Sequence, residues 1–169
     1  MSHEHSSWVE EYEFLRLYRI DVESARQLFE LVERQGTDEL RFPLLEIAVV
    51  RYARPFSKNF GSVIKRHWLD DTVVPPDMLS LHSELIGLRD NAFAHTDHKF
   101  RKPEVSRWKQ SDGSNRYGLA FRIADYTLLL RRLAALKDLA RAVEAAIVAK
   151  CDAMQPVLDT IPAAPRVGT

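Results

Sequence analysis

Residues 124–154, ADYTLLLRRLAALKDLARAVEAAIVAKCDAM, carry an apolar stripe made of Leu129, Leu133, Leu136, Ala140, Val143, Ile147, Cys151 and Met154. Steps of three and four residues are those of one helix face, and no glycine or proline interrupts them. A seam that long buries nothing by itself. It therefore predicts other helices packed along it in a bundle.

Working upstream, residues 105–121 change period. Val105-Ser106-Arg107-Trp108-Lys109 and Tyr117-Gly118-Leu119-Ala120-Phe121 flank Ser111-Asp112-Gly113-Ser114-Asn115, the pattern of a small β-hairpin. Before it, Met78, Leu81, Leu85, Leu88 and Ala92 form a second helical stripe starting near Asp77, with His95 as its next member. A third helix is expected from Phe42 or Pro43 to Arg54, since proline suits a first helical turn and Pro55 disfavours continuation. Nearer the N-terminus, Trp8 to Tyr18 reads as an acidic and aromatic helix. Asp21 would cap another helix running to Gln35, with Leu28, Leu31 and Val32 on its apolar face and Gly36 as its stop. Residues 56–75 read as a basic connection containing a short helix near Val63 to Trp68. The fold expected is mainly all-α: an up-and-down bundle of about five helices with one small β-hairpin before the long C-terminal helix.

At 169 residues with 46% apolar content, the chain suits one domain with a substantial core, taken as residues 1–154. Residues 155–169 contain three prolines and read as a flexible C-terminal tail. The 24 basic and 24 acidic residues balance, so net charge alone selects no partner. Their distribution is uneven. Residues 1–40 hold ten acids against four bases, whereas residues 51–66 hold Arg51, Arg54, Lys58, Lys65 and Arg66 with no acid. Residues 98–122 continue the bias, with seven basic residues against Glu104 and Asp112. A polyanion would be drawn to such a side; the alternative is an acidic N-terminal helix that offsets the basic middle.

Cys151 is the sole cysteine, which excludes an intrachain disulfide, and it falls on the apolar stripe as a small core residue. No apolar run approaches the ~20 residues that span a bilayer, and Met-Ser-His-Glu-His is not a signal peptide. A cytoplasmic protein without a membrane partner is expected. No nucleophile elbow or glycine-rich phosphate loop is present. His82, His95, Asp97 and His98 suggest a metal set only weakly, because only His95 and His98 have helical ligand spacing; neither metal nor cofactor is expected.

Arg89-Asp90-Asn91-Ala92-Phe93-Ala94-His95 combines a fixed cation with a titratable imidazole at the end of the Met78 helix. Arg89 has Leu85, Ile86, Ala92 and Phe93 at its helical neighbour positions, so it lacks a carboxylate at the usual pairing distance along its own helix. It must find a tertiary partner such as Glu46, reach water, or be held for a ligand. His95 equally suits a neutral core histidine bonded to a backbone carbonyl. On a regular helix, six residues turn through about 600° and leave Arg89 and His95 about 120° apart, so one copy of the motif does not share a face. Either the helix ends near Ala94, or the site is completed across a two-fold axis.

The Arg-polar-spacer-His arrangement resembles the signature of the HEPN superfamily. The wider pattern is similar to that of small HEPN-like proteins over roughly residues 40 to 150: Tyr52-Ala53-Arg54-Pro55-Phe56, then Leu81-His82, Leu88-Arg89 and Ala94-His95-Thr96-Asp97. The resemblance implies a homodimer whose paired motifs meet at the interface, and metal-independent endoribonuclease chemistry giving a 2′,3′-cyclic phosphate. It also implies a toxin–antitoxin or defence setting with a neutralising partner protein. In that reading His95 transfers the proton, Arg89 stabilises phosphoryl charge, and Asp90 holds the arginine or the partner histidine. Arg54 is a further phosphate contact, and Tyr52 and Asn91 are supporting substrate-site candidates. The competing reading is a non-catalytic dimeric helical module that binds a nucleotide, RNA or a protein. Trp108, Tyr117 and Phe121 would stack on RNA bases or cover a core edge.

Overall fold

The computed structural model describes residues 3–93, 103–120 and 126–161. Among these, five α-helices and one two-stranded hairpin occur in the order α1 (His3–Arg34), α2 (Asp38–Ala53), α3 (Leu79–Leu88), β1 (Glu104–Lys109), β2 (Asn115–Ala120), α4 (Tyr126–Arg131) and α5 (Leu133–Leu158). The fold is the mainly helical bundle with one hairpin ahead of the long C-terminal helix.

The two helices expected before Gln35 are one. The α1 segment contains no glycine or proline, and its buried residues Leu15, Tyr18, Val22, Ala25, Phe29 and Val32 step by three and four along a single face. Asp21, read as a cap, sits in mid-helix and accepts from Arg51 and Arg54 instead. A local cap signal lost to a tertiary ion cluster. The turn at residues 35–37 then sends α2 back along α1, with Leu45, Ala48, Val49, Tyr52 and Ala53 buried. That helix begins at Asp38, earlier than expected. The Thr37 carbonyl accepts from Leu40 and Arg41, and Asp38 and Glu39 complement the helix dipole. Pro43 therefore lies inside the helix rather than in its first turn.

Helix α5 runs antiparallel to α1 on its other side. The pairs Lys137–Glu33 (2.7 Å) and Arg26–Glu144 (3.1 Å) fix that direction, because the later residue in α5 meets the earlier one in α1. Its buried face holds Leu133, Leu136, Leu139, Ala140, Val143, Ile147, Cys151 and Met154. The single helix expected over 124–154 is interrupted at Arg132, whose guanidinium bonds Glu84 of α3 at 2.5 Å. Ala124 and Asp125 lie outside the described residues. The helix also continues to Leu158 with Pro156 inside it, past residue 155, the expected start of the tail; residues 162–169 lie outside the described residues.

No helix forms at Val63 to Trp68. That stretch is an irregular loop, closed by paired backbone bonds between Asn59 and His67 (2.8 and 2.9 Å), and two short 3-10 turns follow at Asp71–Val73 and Pro76–Met78. The hairpin pairs Glu104 with Ala120 through Lys109 with Asn115, around Gly113 at φ +82°. Both strands are exposed along their length except at half-buried Gly118, over which the Trp108 indole lies.

Candidate functional site

Helix α3 runs antiparallel to α2. Its N-terminal part meets the end of α2 through His82 and Tyr52, and Phe93 beyond its C-terminus comes to the Phe42–Glu46 region of α2 by way of Tyr126. After Leu88 the α-helix gives way to a π-helical turn, Arg89–Phe93. Wider turns of this kind are uncommon and recur at functional sites, because they move side chains off the regular helical face. The 120° offset of a regular helix therefore does not hold through this segment. The turn is anchored on one side by Phe93, which stacks on Tyr126 (6.1 Å, 8°); Tyr126 in turn stacks on Phe42 (4.6 Å, 18°) and donates its hydroxyl to Glu46. Asn91 Nδ2 donates to the Gly87 carbonyl at 2.8 Å, where the helix ladder changes.

Arg89 and Asp90 lie on this turn. Arg89 Nη1 donates to Asp90 Oδ1 at 2.5 Å, with the arginine side chain 28% exposed and the aspartate 48%. Glu46, the neighbouring-helix acid considered for Arg89, takes the Tyr126 hydroxyl instead. A guanidinium carries five N–H donors in a rigid fork, so one bond to Asp90 fixes its orientation and leaves other donors for an anion.

Arg54 is elsewhere. Its Nη1 donates to Asp21 Oδ1 at 3.1 Å, the same oxygen that accepts from Arg51 at 2.7 Å, at the opposite end of α2 from the π-turn. The seven residues from His82, near that end, to Arg89 correspond to about 10 Å of helix rise. Tyr52 is fully buried and donates its hydroxyl to His82 Nδ1 at 2.9 Å, while His82 Nε2 faces Asp71 Oδ1 at 3.2 Å. A carboxylate accepts, so Nε2 carries the imidazole proton and Nδ1 takes the tyrosine's. Burial pushes the His82 pKa down against the opposing pull of Asp71, and burial raises that of Tyr52. This chain of bonds ties α2, α3 and the Asp71–Val73 turn together, with Tyr52 enclosed within it.

The structure thus gathers Arg89, Asp90 and Asn91 on one turn and sets Arg54 and Tyr52 apart from it. His95, together with Asp97 and His98, lies outside the described residues, as does Phe121. Among the described residues no group of three or more His, Cys, Asp or Glu side chains could hold a metal ion, and no helix is long and apolar enough to cross a membrane.

A second tyrosine–histidine pair escaped the sequence reading. Tyr18 Oη lies 2.9 Å from His67 Nδ1 and accepts from Asn59 Nδ2 at 3.1 Å, and Phe14 stacks on the imidazole at 4.6 Å. Desolvation lowers the His67 pKa and raises that of Tyr18 to about 12. Glu10, which binds the same loop, was equally hidden among the many acids of α1. No family model, curated protein or solved structure matches the chain.

Proposed function

We propose that this chain is an HEPN-like, RNA-directed protein that acts as a homodimer and cleaves RNA without a metal. The observation that carries the reading is the π-turn that holds Arg89 through Asp90 at the C-terminal end of α3, with Arg89 six residues before His95. The chemistry follows from those groups. The 2′-hydroxyl attacks the adjacent phosphorus and its proton passes to His95. Arg89 stabilises the charge gathering on the phosphoryl oxygens. The bond from phosphorus to the 5′-oxygen breaks, that oxygen takes a proton from solvent or from the second copy's imidazole, and a 2′,3′-cyclic phosphate remains. Two copies related by a two-fold axis would line one cleft with both motifs. In the setting that the resemblance implies, toxin–antitoxin or defence, a neutralising protein covers this face.

The exposed hairpin supports the RNA-directed part. Trp108 and Tyr117, 50% and 65% exposed, project from opposite faces of the hairpin, Trp108 paired across the strands with Arg116 and Tyr117 with Arg107. Aromatic planes interleaved with cations suit single-stranded nucleic acid, because every base has a face to stack and every linkage a charge to meet.

A second reading, a non-catalytic dimeric module binding RNA, a nucleotide or a protein, is favoured by one observation: the Arg89 charge is already met by Asp90. Wild type and His95→Ala are to be compared on single-stranded RNA in excess EDTA, with binding followed in parallel. Cutting by wild type alone, with cyclic phosphate ends, is the expected outcome. RNA binding without cutting by either protein points to the module, and cutting that the chelator abolishes points to a metal.

A further inference from the structure

The loop after α2 holds an unusual internal ligand. The Glu10 carboxylate of α1 accepts from three successive backbone N–H groups: Ser62 to Oε1 at 2.5 Å, Val63 to Oε2 at 2.8 Å and Oε1 at 3.1 Å, and Ile64 to Oε2. Successive N–H groups converging on one point form a concavity of positive partial charge that suits anions, phosphate groups among them. The seat is tight: a Cβ on Gly61 would lie 2.6 Å from the Glu10 carboxyl carbon and 2.7 Å from both oxygens. It is also built independently of Glu10, because Gly61 N donates to the Ile64 carbonyl at 3.0 Å and the Asn59–His67 pair closes the loop behind it.

Three features bear on the exchange of Glu10 for an external anion. Lys58, Lys65 and Arg66 flank it in sequence, all exposed, and none has an ion pair among the described residues. A cleft of about 410 Å³ opens beside it, lined by Glu13, Phe14, Leu17 and Phe60 as well as Glu10, with room for whatever carries the anion. Glu10 itself comes from the part of α1 that precedes the first core residue, Phe14, so its withdrawal leaves the bundle's packing intact.

We propose that the Gly61–Ile64 loop is a phosphate-group site that Glu10 closes from within, as a competitor that a phosphate ligand displaces. The lowered Glu10 pKa, due first to the Ile64 N–H and then, against desolvation, to those of Val63 and Ser62, agrees with a cradle that favours negative charge. Being tethered, Glu10 competes at a high effective concentration, so the native site binds external phosphate weakly. This proposal is independent of the nuclease reading, since the loop lies beside α1 and the Arg89 turn beyond the far end of α3.

The test is an amide NMR titration of wild type and Glu10→Ala with inorganic phosphate, and separately with a short oligoribonucleotide lacking terminal phosphates. Glu10→Ala is expected to bind at least about 10-fold more tightly than wild type, with the Ser62, Val63 and Ile64 amides moving most. A response to inorganic phosphate assigns a terminal phosphate as ligand; a response to the oligoribonucleotide alone assigns the phosphodiester backbone. Should Glu10→Ala fail to fold, Glu10→Gln removes the charge but keeps an acceptor, and the same comparison applies. A folded variant that binds neither probe more tightly than wild type overturns the proposal and leaves Glu10 as a structural clamp.

Discussion

His82 is the residue on which acid sensitivity should turn. Its imidazole is almost completely buried between Tyr52, Asp71 and the Phe56 ring, and desolvation holds its folded pKa below the ordinary value. His67 is shifted the same way, again chiefly by burial. An unfolded chain takes up these protons near pH 6.5 while the folded chain does not. The neutral histidines' contribution is thus fully present above about pH 6.5 and lost as pH falls through the lowered folded values. Urea midpoints should decline from pH 7.5 to pH 5, and His82→Gln should flatten part of that decline; an equal slope in the variant would contradict the assignment. Tyr52→Phe removes the donor to a buried Nδ1 and should cost about 1–3 kcal/mol at pH 7.5, read from the same denaturation curves. At this scale the sequence was partly legible. Tyr52, Arg54, His82 and Arg89 stood out as residue types, but their partners did not: Asp21 looked like a helix cap, and its role in meeting Arg51 and Arg54 exists only once α1 and α2 lie side by side.

Helices were legible where one apolar face continued and were misjudged where a local signal competed with packing. The stripe from Leu133 to Met154 lies on the buried face of α5 because spacing alone decides which side of a helix meets its neighbours. Val63 to Trp68 failed as a helix because the His67 N–H, which a helix would pair with the Val63 carbonyl, donates to Asn59 instead, while the Val63 and Ile64 N–H groups serve Glu10, 53 and 54 residues away in sequence, contacts that no local pattern encodes. The contrast between faces is measurable. Leu136→Ala, wholly buried, should lower stability by about 2–5 kcal/mol, whereas Ile47→Ala, 49% exposed, should change it by less than about 0.5 kcal/mol. Comparable losses in urea titrations would contradict the bundle's assignment of faces. In the hairpin, Trp108→Ala and Tyr117→Ala should each weaken binding of single-stranded RNA by about 1–3 kcal/mol, with the melting temperature nearly unchanged because both rings are exposed. Unaltered RNA affinity would remove the hairpin from the proposed interface.

For the whole molecule, the account joins a helical bundle to a π-turn that presents Arg89 and Asp90, with His95 following in the chain. The bundle could be foreseen because helix periodicity is written locally. The widened turn could not, since the sequence from Leu85 to Phe93 reads as a regular helix and only the packing of Phe93 on Tyr126 shows how the turn is held. A two-fold assembly is part of the proposed chemistry, so sedimentation equilibrium should give twice the mass of one chain; a monomer at working concentrations would leave each motif alone. The most direct test of the central claim is single-turnover cleavage of single-stranded RNA in excess EDTA by wild type, Arg89→Ala and His95→Ala, with RNA affinity measured alongside. The account predicts rates reduced by about 10²-fold or more in both variants, with affinity changed far less; cutting at the wild-type rate by either variant, or none by a dimeric wild type that binds RNA, would contradict it.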